Sequence, residues 1–84
     1  GLYYYINEVP SVKKDTLVDI PKGKGVRAIA SMLEDEGVVA NGSLFLYYSV
    51  ASGVQNRLKA GEYEFKKGST ISGVLDKIVK GDVL

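Results

Sequence analysis

The sequence predicts one small α+β domain, and three observations point there. A strand–glycine turn–helix pattern occurs twice, 45 positions apart. A nearly all-apolar helical segment lies between the two copies. The length, 84 residues, allows one core and no more. Composition agrees, since 45% hydrophobic and 25% charged residues are ordinary for a folded chain and exclude disorder.

The first six residues, Gly1-Leu2-Tyr3-Tyr4-Tyr5-Ile6, are unusual because three consecutive tyrosines cannot all face a small core. Tyrosine suits the boundary between membrane and water, so this segment reads as the outer end of a membrane-spanning helix or, alternatively, as an aromatic edge strand. No apolar run in the chain reaches the ~18 residues needed to cross a bilayer. Asn7–Asp15, polar and containing Pro10, reads as a linker.

Thr16–Ile20 is partly alternating and rich in β-branched residues, and Pro21-Lys22-Gly23-Lys24-Gly25 closes it as a turn. Val26, Ile29, Ala30 and Leu33 then form the stripe of an amphipathic helix that Gly37 ends. A second helix is expected from an N-cap at Ser43 through Gly53. Its apolar residues lie almost all round, interrupted only by Ser49, which makes it either central or a contact surface. Gly61–Lys66 alternates Tyr63 and Phe65 against charges, as a half-buried strand does. After Gly68-Ser69-Thr70, the stripe Ile71, Val74, Leu75, Ile78 and Val79 marks a third helix closed by Gly81, with Asp76 and Lys80 as an i,i+4 pair. A shift of 45 lays Val18 on Tyr63, Gly23 on Gly68, Ile29 on Val74 and Leu33 on Ile78. A two-stranded sheet is marginal alone, so the helices must cover its apolar face.

Chemistry is narrowed by what is missing. Without Cys or His, disulfides, cysteine-rich zinc sites, histidine-assisted nucleophiles and imidazole switches are excluded. Eleven Lys+Arg against ten Asp+Glu leave +1, too little for a global field that attracts nucleic acid. Glu62 and Glu64, ~6.6 Å apart by strand rise, form a carboxylate pair, but nothing supplies the apolar pocket that would raise an acid's pKa, so they read as a solvated strand face. Glu34-Asp35-Glu36 sit in the last turn of a helix, where the macrodipole disfavours them, and call for a compensating neighbour or plain solvation. Lys22–Arg27 resembles the phosphate-clamping turn of nucleic-acid-binding KH modules, but Val26 stands where the second glycine belongs.

Three stretches, VDIPKGKGVRAIASMLEDEGVV (18–39), LFLYYSVASG (44–53) and LKAGEYEFKKGSTISGVLDKIVKGDV (58–83), resemble the membrane-proximal part of the YceG-like endolytic murein transglycosylases. That family is also labelled aminodeoxychorismate lyase-like, a label for which this chain lacks room for a pyridoxal-phosphate site. No cofactor is expected. The resemblance implies a LysM-like βααβ domain at 16–66 with a two-stranded antiparallel sheet. Residues 1–15 become a juxtamembrane stub and linker, and 67–84 a helix leading toward a catalytic domain that this chain does not contain. Docking against that domain would leave Ile71, Val74 and Ile78 half exposed here. The family is anchored by one N-terminal membrane helix, which favours the membrane-end reading of Gly1–Ile6 and an extracytoplasmic location.

LysM modules hold the amino-sugar backbone of peptidoglycan or chitin in a groove between the loop after the first strand and the loop before the second. Carried onto this chain, the resemblance implies contacts from Lys22, Gly23, Lys24, Gln55, Asn56 and Arg57. It implies peptidoglycan strands and the parent's own catalytic domain as partners, and no catalytic residue in this stretch. A structural spacer or protein-docking role, using Leu46, Tyr47 or Val50, is the alternative.

Overall fold

The computed structural model describes all 84 residues. Its elements are α1 (Leu2–Glu8), β1 (Thr16–Ile20), α2 (Val26–Asp35), α3 (Gly42–Ala51), β2 (Gly61–Phe65) and α4 (Ile71–Lys80). β1 and β2 pair antiparallel, with Thr16 opposite Phe65, Val18 opposite Tyr63 and Ile20 opposite Gly61. The domain is therefore a small α+β fold in the order β-α-α-β, with one helix after it and one before.

Strand alternation produces a one-sided sheet. Val18, Ile20, Tyr63 and Phe65 are buried, while Leu17, Asp19 and Glu62 point to solvent. The Tyr63 and Phe65 rings stack at 5.8 Å, and the Tyr63 hydroxyl donates to the Lys59 carbonyl at 2.7 Å, which satisfies its one polar atom. The stripes of α2 (Ile29, Ala30, Leu33) and α4 (Ile71, Val74, Leu75, Ile78) close over this face. α2, α3 and α4 each stop at a glycine in the left-handed conformation, Gly37, Gly53 and Gly81, which only a residue without Cβ adopts cheaply.

Several expectations need correction. Gly1–Ile6 is no edge strand: Leu2–Glu8 is helical, with Ile6 buried toward α4 and Tyr3 and Tyr4 exposed. The segment expected to be a linker is fastened down. Val12 is buried, Pro10 bridges to Thr70, and the Ser11 and Val12 amides donate to the Ser69 carbonyl at 2.8 and 3.1 Å. α3 starts at Asn41 rather than Ser43, because the Asn41 side chain accepts from the Leu44 amide at 3.1 Å. Ile71, Val74 and Ile78 are fully buried, since α1 and α3 already pack against α4. The ion pair at the end of α4 joins Lys77 to Asp82 at 3.8 Å, not Asp76 to Lys80.

Ser49, the only interruption in the apolar α3 segment, faces inward. Its hydroxyl donates to the Phe45 carbonyl at 2.8 Å, so it is buried at no loss of hydrogen bonding, while Tyr47 and Val50 point outward. The helix is thus central on one face and open on the other. No helix is long and apolar enough to cross a membrane.

Candidate glycan-binding site

The register places the two candidate loops together. Ile20 and Gly61 are the last pair of the sheet, so Pro21–Gly25, leaving β1, and Val54–Ala60, entering β2, emerge at the same end. Pro21–Gly25 is exposed throughout, and Gly23 has a φ of 86°, which turns the chain sharply between Lys22 and Lys24. α2 begins directly after it at Val26, and its N-cap, Gly25, provides no side-chain cap for the first amides.

In the second loop, Val54 accepts from the Arg57 amide at 2.8 Å, a turn that projects Asn56 and Arg57 into solvent. Gln55 is half-buried, and its Oε1 is enclosed without a hydrogen-bond donor. A buried amide oxygen without a donor is uncommon and costly. The Lys59 ammonium turns the other way and donates to the Val79 carbonyl at the end of α4, where a cation suits the helix dipole. The six candidate residues thus lie on the loop that leaves β1 and the loop that enters β2.

The one cavity lies elsewhere. It is an open groove of about 270 Å³ between α2 and α3, lined by Arg27, Ala30, Ser31, Glu34, Gly42, Ser43 and Leu46. At its floor Glu34 Oε1 accepts from the Gly42 amide at 2.6 Å. This answers why an acid sits at the end of α2: its charge is placed at the N-terminus of α3, where the dipole favours it. The sequence carried a signal for this role, an acid at an unfavourable helix end eight residues before the next helix begins. Glu64 pairs with Lys66 at 3.2 Å and Glu62 lies open to solvent, so neither strand acid meets an apolar pocket. No group of acidic side chains converges to hold a metal ion.

The YceG-like family model matches residues 18–84, which include both strands, both loops, and α2, α3 and α4. The chain belongs to the YceG-like family. Among curated relatives, the chain is 35% identical over 69 residues to an endolytic murein transglycosylase of Streptococcus pneumoniae. That match covers 82% of this chain and 12% of the relative. It is 33% identical over 64 residues to the endolytic murein transglycosylase of Bacillus subtilis, covering 76% of this chain and 18% of the relative. Among solved structures, a YceG-like protein of Listeria monocytogenes superposes with a TM-score of 0.78 at 30% identity. That superposition covers 84% of this chain and 23% of the Listeria chain. The chain thus spans less than a quarter of each of these YceG-like relatives.

Proposed function

We propose that this domain is a non-catalytic, LysM-like peptidoglycan-binding module of a membrane-anchored endolytic transglycosylase. The observation that carries the reading is the pairing of Ile20 with Gly61, which brings the Pro21–Gly25 and Val54–Ala60 loops to one end of the sheet. Gln55 supports it, because its Oε1 is enclosed without a donor, and swinging the side chain outward to meet an amino sugar's N–H or O–H would give that oxygen the partner it lacks. Lys22, Lys24, Asn56 and Arg57 supply donors around it, and Gly23 lets a ligand approach the backbone closely. The relatives are endolytic murein transglycosylases, so a glycan strand held here would be near the catalytic domain of the same chain, raising its effective concentration there.

On this reading the cleavage itself, protonation of the leaving oxygen by a carboxylic acid, belongs to that other domain. No acid of this domain takes part. The parent works on the extracytoplasmic face of the inner membrane. α1 supports the anchor, because an exposed Leu2, Tyr3 and Tyr4 suit the water boundary of a membrane helix. An amide NMR titration of the 84-residue chain with peptidoglycan glycan oligomers tests the proposal. Saturable shifts at Lys22–Gly25 and Gln55–Arg57 are expected, and flat spectra at millimolar sugar would sink it.

A second reading, a spacer or protein-docking domain without glycan affinity, draws on a different surface. Tyr47 and Val50 are 57% and 49% exposed on the outer face of α3, with Leu46 half-buried beside them. On that reading the same titration is silent, and Tyr47→Ser lowers affinity for the parent's other domains without changing the stability of this one.

A further inference from the structure

Charge in this chain is divided unevenly. The segments Pro21–Arg27 and Ser52–Ala60 contain Lys22, Lys24, Arg27, Arg57 and Lys59, five of the eleven cations, and none of the ten acids. The remaining residues hold six cations against ten acids, so a nearly neutral chain has one positive end and an otherwise negative body. Ion pairing does not offset the charge of these segments. The two ion pairs of the molecule use Lys66 and Lys77, and Lys59 is taken by the end of α4. On the two loops themselves Lys22, Lys24 and Arg57 are exposed and have no anionic partner, while Arg27, already on α2, lines the groove that holds Glu34. Three unpaired cations on two loops repel one another, a small cost that an anionic ligand would reverse.

We infer that the loop pair recognises carboxylates carried on the glycan, and not the neutral amino-sugar backbone alone. The inference rests on the glycan-binding reading and narrows its ligand to an acidic amino-sugar polymer, one bearing lactyl carboxylates. Arg57 can take a carboxylate with two parallel N–H donors, and Lys22 and Lys24 act as point charges on either side of Gly23. Asn56, exposed beside Arg57, remains a neutral contact for the sugar. A chitin-like strand of the same length offers the sugar contacts and nothing to the three cations.

The test uses the 84-residue chain and three oligosaccharides of equal length: a peptide-free glycan with free lactyl carboxylates, the same glycan with those carboxylates amidated, and a chito-oligosaccharide. The acidic glycan is expected to bind about ten-fold more tightly than either neutral one. That advantage should shrink several-fold between low salt and ~0.3 M salt, where screening falls well below 10 Å. Replacing Lys22, Lys24 and Arg57 together by Gln should remove it, and Lys66→Gln with Lys67→Gln, at the other end of the sheet, should leave it intact. Equal binding of all three sugars without salt dependence would overturn the inference and leave the glycan reading standing. No binding of any sugar would overturn both. Equally tight displacement by inorganic polyphosphate would show a positive field without carboxylate recognition, and would also overturn it.

Discussion

The two strand–turn–helix units are near copies in backbone and burial, yet one is sealed and the other is open. Val18 and Tyr63, which the 45-residue shift equates, face each other across the sheet at the centre of the repeat. The turns match in Gly23 at φ 86° and Gly68 at φ 91°, and Ile29, Ala30 and Leu33 have buried counterparts in Val74, Leu75 and Ile78. After β2, however, Asp15 Oδ1 accepts from the Lys67 amide at 2.8 Å and the Val12 carbonyl from the Gly68 amide at 2.8 Å. Thr70 then caps α4 by accepting from the Gly73 amide at 3.1 Å. After β1 no segment covers the turn, and α2 starts without a side-chain cap. A repeated unit thus supplies a symmetric core, and the N-terminal segment makes it asymmetric by occupying one turn and leaving its twin available for a ligand.

The equivalence of the cores is tested most severely by Leu33→Ala and Ile78→Ala. Both side chains are fully buried, and each deletion should cost about 2–5 kcal/mol in urea denaturation. That is a large share of the stability of so small a domain. A loss confined to one of them would break the comparison.

Gly61→Ala comes next. Gly61 has a φ of 144°, and a Cβ there would collide with the Val83 side chain, so we expect about 1–3 kcal/mol of destabilisation. The equivalent position in the other strand is Thr16, where a side chain is accommodated half-buried. The difference marks where the C-terminal tail returns, with the Leu84 amide donating to the Glu62 carbonyl at 2.9 Å.

Exchanging the caps sharpens the contrast further. Thr70→Ala should cost about 1 kcal/mol, and Gly25→Ser should stabilise α2 by a few tenths, roughly the difference between serine and glycine as caps. Thermal melts of the single variants and the pair should show additivity, because the two helix starts lie at opposite ends of the sheet.

The smallest effect concerns pH. Burial, with the nearby Asp82 charge second, raises the Tyr63 hydroxyl above its ordinary value of about 10.0. A raised folded-state pKa means that the native state keeps a proton the unfolded chain has lost. Stability should therefore be unaffected below about pH 10 and fall as pH rises above it. Tyr63→Phe should remove this alkaline decline in pH-dependent urea unfolding, together with the hydrogen bond to Lys59.

Local pattern carried much of the fold. The stripes at Val26–Leu33 and Ile71–Val79, the alternation of Tyr63 and Phe65, and the closing glycines are short-range signals, and each forms the element it predicts. The loops that hold Lys22–Lys24 and Gln55–Arg57 were legible as gaps between strongly patterned segments, while their candidacy for glycan came from the family resemblance and not from pattern.

Elsewhere the pattern was ambiguous because a distant partner decides. Tyr3-Tyr4-Tyr5 fits helix or strand by local preference, and the helix forms with Ile6 buried toward α4. Asn7–Asp15 looks like a linker until its backbone and Asp15 pair with Lys67–Thr70, more than fifty residues away. Asn41 and Ser43 are both good caps, and Glu34 on the Gly42 amide settles the start of α3. By itself, then, the sequence determined the elements from β1 onward, their internal repeat and the gaps between them, because hydrophobic period and glycine turns act within a few residues. Tertiary structure alone decided which turn is sealed, where α3 begins and which cations stay unpaired, because those depend on hydrogen bonds and charges brought together only when the chain closes on itself.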